Sequence, residues 1–262
     1  MPKRSVVFAE ERKTKILELL ARNKKLLVPE LCEYFKVSPA TIRNDLRELG
    51  ESGLLKRTHG GALLNEKARY EPDSSQKQIS YASQKRDIAR MAYSLIDDGD
   101  TIALDTGTTT MELARLLSDR KGITIVTNDL QIASMLESNE GISVILTGGT
   151  LKRKFHCLIG PMAVSALRRL NVDKAFMGTN GITPEQGCTT PDLEQAEIKK
   201  SMASIASEVI VLADSSKFGR KSFAGFLALD DIGTVISDTG LSDKEKSSYV
   251  EAGVVVLVAG KN

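Results

Sequence analysis

Histidine is nearly missing. The chain has 262 residues and only two histidines, His59 and His156, which excludes chemistry built on several histidine ligands. Cysteine is almost as scarce. Cys32, Cys157 and Cys188 are odd in number and far apart, so they offer neither a disulfide framework nor a metal-ligand spacing, and they suit a reducing compartment. No metal and no cofactor is expected. No stretch reaches the roughly 18 uncharged apolar residues of a membrane span. The opening MPKRSVVFAEERK is basic but lacks the apolar core of a secretory leader. A cytoplasmic protein with no membrane partner is expected. Hydrophobic residues make up 41% and charged residues 27%, the mix of a folded chain rather than a disordered one. The length allows one or two domains.

Charge is unevenly spread. Residues 1–62 hold 13 Lys/Arg against 8 Asp/Glu, whereas the rest hold 23 against 26. A basic head on a mildly acidic body fits contact with a polyanion, although a solvated charged surface gives the same excess. The pattern within the head is more specific. From Glu10, Ile16, Leu17, Leu19 and Leu20 share one helical face. After a break at Asn23–Leu27, Pro29 suits the first turn of a short helix running to Phe35. In KVSPATIRNDLRELGESG, Ser38 is an N-cap and Pro39 follows at the first helical position. Ile42, Leu46 and Leu49 then point inward, leaving Thr41, Arg43, Asn44 and Arg47 outside. This is the layout of a recognition helix, whose early polar side chains reach base edges in the major groove. Gly53 ends that helix. Leu54 to Gly61 predicts two short strands and a tight turn, a wing that carries His59 and brings Lys56 and Arg57 near the phosphates. A three-helix domain that docks a protein is the competing reading.

These residues resemble the N-terminal domain of DeoR-family bacterial transcription regulators, whose signature VS-x-x-TIR-x-DL-x-x-L, Gly-x-Leu turn and HGGA correspond here to VSPATIRNDLREL, SGLLKR and THGGA. The chain departs at Asn44, where many members carry a second Arg. The resemblance implies double-stranded operator DNA as a partner of Ser38, Thr41, Arg43, Asn44, Arg47, Lys56, Arg57 and His59.

Residues 63–80 contain Pro72 and no apolar period, which predicts a linker between a head at 1–62 and a body at 81–262. An amphipathic helix, Gln84 to Ile96, opens the body. Strands are predicted at Thr101–Leu104, Ile123–Thr127, Ser143–Leu146, Lys174–Met177, Val209–Leu212, Thr234–Ser237 and Val254–Val258. Helices separate most of them, at Thr110–Leu117, Leu130–Leu136, Met162–Leu170, Leu193–Ala206 and Ser242–Ala252. Such alternation predicts an α/β body with a mostly parallel sheet covered on both faces. Ligands of such sheets bind beyond the carboxyl ends of the strands.

Those ends are polar and glycine-bearing. Asp105, Thr106, Gly107, Thr108, Thr109 and Thr110 lead into a helix, so free N–H groups and hydroxyls meet its positive end. Gly148, Gly149 and Lys152 follow another strand, Asn180 and Gly181 a third, and Lys217 a fourth. Each is also ordinary turn chemistry. Together they describe a pocket for a small polyhydroxylated anion, with Lys217 able to neutralise a phosphate.

LDTGTTT, VTNDL, TGGTLKR, DKAFMGTNGI, GCTT…EQAEIKKSM and LADSSKFGR also resemble the DeoR-family effector domain. That resemblance implies a sugar-phosphate effector and a fold similar to ribose-5-phosphate isomerase. It makes Asp105 to Thr110 the phosphate loop and places Asn180, Gly181 and Lys217 in the pocket. Many members carry Glu-Ala where this chain has Gln195-Ala196, with Glu194 adjacent. The implied function is a repressor of sugar-metabolism genes, with no enzyme activity. The alternative is an isomerase-like enzyme with an appended DNA- or protein-binding head. Aldose–ketose isomerisation needs a carboxylate near the substrate C–H, and Gly178–Ile182, GTNGI, has none. One winged head covers few base pairs, so a homo-oligomer with paired heads is expected.

Overall fold

The computed structural model describes residues 8–51, 54–64 and 71–260, which fall into two compact units divided between Ser80 and Tyr81. In the first, α1 (Ala9–Asn23), α2 (Val28–Phe35) and α3 (Pro39–Glu51) pack around Ile16, Leu20, Leu31, Phe35, Ile42, Leu46 and Leu49. Each wholly buried Ile or Leu contributes about 1.5–3 kcal/mol. Ser38 caps α3 by accepting from the Thr41 N–H at 3.2 Å, and Glu30 accepts from the Leu27 N–H at the start of α2.

Three features depart from the sequence expectations. The break at Asn23–Leu27 contains a strand, β1 (Lys25–Leu27). The wing is β2 (Leu55–Thr58) and β3 (Gly61–Leu64), turning at His59–Gly60, so its second strand runs into the segment expected as linker. β3 pairs with β1 on its other side, in the order β1-β3-β2. Gly61 permits this, because a Cβ there would lie 1.9 Å from the Leu26 carbonyl oxygen. A repeated glycine reads as turn chemistry in sequence, yet here one of the two makes room for a neighbouring backbone. A short helix, α4 (Ser74–Ile79), also occupies the expected linker, capped by Asp73. Gly53 lies outside the described residues.

The second unit carries a seven-stranded parallel sheet. In chain order its elements are α5 (Ala82–Tyr93), β4 (Thr101–Leu104), α6 (Thr108–Leu116), β5 (Ile123–Thr127), α7 (Leu130–Leu136), β6 (Ile142–Leu146), β7 (Thr150–Lys152), β8 (Cys157–Ile159), α8 (Pro161–Leu167), β9 (Val172–Gly178), β10 (Gly181–Thr183), β11 (Gly187–Thr190), α9 (Leu193–Ser204), β12 (Ala206–Leu212), β13 (Ala224–Leu227), β14 (Thr234–Asp238), α10 (Asp243–Glu251) and β15 (Val255–Ala259). The sheet order is β15-β14-β12-β9-β4-β5-β6, and every pairing is parallel. All seven predicted strands are in it. Side chains alternate between faces. Ile102, Leu104, Ile125, Phe176, Ile210 and Ile236 join one core with α5, α6 and α7. Ala103, Val126, Ala175, Met177, Val211 and Val235 join the other with α8, α9 and α10. A β7–β8 hairpin and a three-stranded sheet, β10-β11-β13, are additions not foreseen. They come from strands of three or four residues, too short to show a period.

Candidate functional site

The first unit exposes one face of α3. Arg43, Asn44 and Arg47 are exposed, and so are Lys56, Arg57 and His59 of the wing. Arg43, Lys56, Arg57 and His59 make no side-chain hydrogen bond or ion pair among the described residues, so their donors are free for an external acceptor. The stem of Arg57 lies over Gly50, where a Cβ would meet its Cδ at 3.1 Å. Ser38 and Thr41 are partly committed to the helix start, their hydroxyl oxygens 2.9 Å apart. Asn44 and Arg47 are committed to neighbours. Arg47 donates to the Asn44 Oδ1 at 2.6 Å, and the Asn44 Nδ2 donates to Glu48 at 2.8 Å.

Sequence reasoning missed the ion pair beneath this face. Arg12 of α1 donates through Nε to Asp45 at 2.6 Å and through Nη2 at 3.1 Å. Only 7% of Arg12 and 2% of Asp45 is exposed. The hydrogen bonds to Asp45 hold the Arg12 guanidinium above its ordinary pKa. Breaking such a pair by removing one partner costs about 3–5 kcal/mol.

In the second unit the carboxyl ends of β4, β5, β9, β12 and β14 form one polar edge. Asp105, just past β4, is wholly buried. One of its oxygens accepts from the Gly178 N–H at 2.9 Å and forms an ion pair with Lys199 of α9. Lys199 also donates to the Gly178 carbonyl at 3.0 Å and lies 5.2 Å from the Phe226 ring centre. Burial pushes the Asp105 carboxyl above the usual range, further than Lys199 pulls it back. Next door, Thr106 donates to Asp129 at 2.6 Å, while Asp129 caps α7 by accepting from the Gln131 and Ile132 N–H groups. Burial likewise pushes Asp129 upward, opposed by the Thr106 hydroxyl. Past β12, Lys217 lies 3.5 Å from the buried Asp214. Burial alone would raise Asp214; Lys217, Lys85 and Ser216 together hold it below the usual range. Asp238 ties β14 to the same edge by accepting from the Ser215 N–H at 2.6 Å.

The phosphate-loop residues are distributed unevenly. α6 begins at Thr108, two residues earlier than predicted. Its first intrahelical bond is Met111 N–H to Gly107 O, so the leading N–H groups are left at the positive end of the helix. Thr106 and Thr110 spend their hydroxyl protons internally, the latter on the Gly107 carbonyl at 2.9 Å. Thr108 and Thr109 do not. Four buried oxygens at these strand ends, Asp105 Oδ1, Asn128 Oδ1, Asp214 Oδ2 and Ser237 Oγ, make no hydrogen bond among the described residues, although Lys217 lies 3.5 Å from Asp214 Oδ2.

Other candidates sit in ordinary structural roles. Lys152 is neutralised by Asp192 at 2.6 Å. Gly148 and Gly149 turn the chain from β6 into β7 with φ of 71° and 112°. Gly181 is buried, and a Cβ there would meet the Arg220 carbonyl oxygen at 2.5 Å. Asn180 is half-buried and accepts from Thr190 at 3.2 Å. Glu194 is exposed, whereas its neighbour Gln195 is buried beside Thr190 at 3.4 Å. Gln195 rather than Glu194 therefore faces the interior. Among the described residues no cluster of three or more His, Cys, Asp or Glu could hold a metal, and no helix is long and apolar enough to cross a membrane.

Residues 12–68 match the DeoR-like helix-turn-helix domain and residues 80–239 the DeoR C terminal sensor domain. The chain is 39% identical over 247 residues to the HTH-type transcriptional regulator GlpR of Haloferax volcanii, covering 94% of this chain and 96% of that one. It is 36% identical to the transcriptional repressor AccR of Agrobacterium fabrum, covering 88% and 90%. It is 33% identical to a putative aga operon transcriptional repressor of Escherichia coli O157:H7, covering 98% and 96%. Among solved structures it is similar to ribose 5-phosphate isomerase A of Methanocaldococcus jannaschii, at 21% identity over 53% of this chain and 55% of that one, with a TM-score of 0.40. A likeness this slight assigns no residue a role.

Proposed function

The chain belongs to the DeoR family of transcriptional regulators, and from that premise we propose that it is a cytoplasmic repressor whose hold on an operator is set by a phosphorylated sugar or related metabolite. One observation carries the reading: each unit presents the groups its proposed ligand would need. Among the described residues, Arg43, Lys56 and Arg57 on the exposed face of the head have no acceptor, while at the strand ends of the body Asp105 Oδ1 and Asn128 Oδ1 accept no hydrogen bond and the first N–H groups of α6 stand open. Free cations suit a duplex backbone. Free acceptors suit sugar hydroxyls, and a helix start suits a phosphate.

In this reading α3 enters the major groove with Thr41, Arg43 and Asn44 toward base edges, while Lys56, Arg57 and His59 of the wing meet phosphates. Thr106 to Thr110, leading into α6, hold the metabolite's phosphate, and Lys217, Asn180 and Gln195 face its remainder. β4 and β12 are two strand spacings apart, about 10 Å, a distance one small metabolite spans. Two copies of the chain pair their heads on symmetric half-sites. The metabolite prefers the arrangement whose heads are mis-spaced, and the coupling is of order 1–3 kcal/mol and reciprocal. The chain does not turn its ligand over, because Gly178–Ile182 supplies no carboxylate for proton transfer.

Titration of duplex fragments from its own genome tests the operator half. Affinity is expected to fall with salt, by about 0.9 log units per log unit of salt for each phosphate contact. Failure to bind any fragment in dilute salt removes the reading. A thermal-shift screen of phosphorylated sugars tests the other half, since a selective ligand stabilises by mass action. Steady product formation from any member of the panel would favour the enzyme instead.

A further inference from the structure

Asn44 sits at the centre of a chain of five side chains that holds its amide from both sides. Its Nδ2 donates to Glu48 Oε1 at 2.8 Å, and its Oδ1 accepts from Arg47 Nη2 at 2.6 Å. Glu48 Oε2 in turn pairs with Lys13 of α1 at 2.6 Å, and Arg47 Nη1 with Glu51 at 3.2 Å. A primary amide has two N–H donors and two lone pairs on its oxygen. Turning this one over would set its oxygen against a carboxylate and its N–H groups against a guanidinium. Both contacts would become repulsive, so the order of N and O is fixed by charge.

One N–H and one lone pair remain, on an exposed side chain. That is the set the major-groove edge of adenine requires, with N7 accepting and the N6 amine donating. We propose that Glu48 is a positioning residue for sequence reading: braced by Lys13, it fixes the Asn44 amide and so makes Asn44 a reader of adenine. This rests on α3 being the recognition helix. A carboxylate on a helix that faces DNA would ordinarily repel phosphates, and the Lys13 ammonium offsets that charge. The hydrogen bond and charge of Lys13 also hold the Glu48 carboxyl below the usual range, which keeps it an acceptor at neutral pH. Arg47, drawn to Asn44 and Glu51, serves the amide first. Arg43, with no partner among the described residues, is left to guanine or phosphate.

The test uses the full chain and a randomised duplex library, followed by titration of the selected sequence and its single-base changes. The wild-type protein is expected to prefer adenine at one step by about tenfold, within the range of one bidentate contact. Asn44→Ala abolishes that preference. Glu48→Ala lowers it at least about fivefold while affinity for unselected duplex holds or rises. Glu48→Gln keeps a carbonyl acceptor for the Asn44 N–H and retains the preference. The double variant Asn44→Ala, Glu48→Ala is no worse than Asn44→Ala alone. The proposal is overturned if Glu48→Ala keeps the adenine preference. It is equally overturned if that variant weakens every sequence alike with a lowered melting temperature, the mark of a merely structural role. A wild-type protein that binds no duplex overturns the reading of α3 itself.

Discussion

Replacing Lys199 by Met should leave a nearly isosteric side chain and an unpaired carboxylate in the centre of the second unit. Asp105 is wholly buried, and its Oδ1 already lacks a partner. Without Lys199 the other oxygen keeps the Gly178 N–H, too little to hold a buried charge. Removing one member of a buried ion pair costs about 3–5 kcal/mol. For a unit of this size each kcal/mol moves the melting temperature by about 2–4 °C, so Lys199→Met is expected to lower it by about 10 °C in calorimetry of the full chain. Adding Asp105→Asn to that variant removes the stranded charge and should restore most of the loss. The pH dependence has a definite sign. The folded carboxyl sits above its unfolded value, and losing Lys199 drives it higher. Between an unfolded value of about 4 and that raised value, the folded state binds the extra proton, so stability falls as pH rises. The deficit of Lys199→Met should therefore shrink from pH 7 to pH 5. A melting temperature within 2 °C of wild type (roughly 1 kcal/mol or less), or a deficit that grows on acidification, refutes the assignment of Asp105–Lys199 as a stabilising pair.

Lys217→Ala should leave operator affinity intact and abolish the metabolite response, read by repeating the duplex titration with and without the stabilising sugar phosphate; loss of DNA binding in the folded variant would put Lys217 in another role. Burial pushes the Cys157 and Cys188 thiols up to about 12, so at pH 8 only about one in ten thousand is thiolate. Mass spectrometry after brief iodoacetamide treatment should find both unmodified in the folded protein and both alkylated after denaturation. Rapid labelling of either in the native state contradicts the packing described.

The sheet was legible because each of its strands is a short apolar run between turn residues, and parallel strands buried on both faces need only that. α3 was legible through Ser38, Pro39 and the spacing of Ile42, Leu46 and Leu49. The ion pairs were not. Asp45 falls three residues after Ile42 and four before Leu49, and Lys199 falls three after Ala196 and three before Met202. Both stand on the buried stripe of their helices. A charge at a stripe position signals a buried partner, but periodicity does not name Arg12 or Asp105, which lie 33 and 94 residues away. β1 stayed hidden for a related reason: three residues have no period, and their pairing depends on Gly61, which local sequence presents as part of a turn. Between Glu194 and Gln195, the buried stripe of α9 decides, because Gln195 stands three before Ile198 and four before Lys199 and so turns inward with them.

The pairing of β3 with both β1 and β2 has a practical corollary. β1 runs directly into α2, so the hairpin is stitched to the helical part of the head on its inner side and cannot swing as a free flap. Helix and hairpin thus meet a duplex as one moulded surface with a fixed pitch. Anyone retargeting the protein to a new promoter should graft residues 9–64 as a single cassette, since swapping α3 alone would set foreign teeth on a jaw cut for another groove.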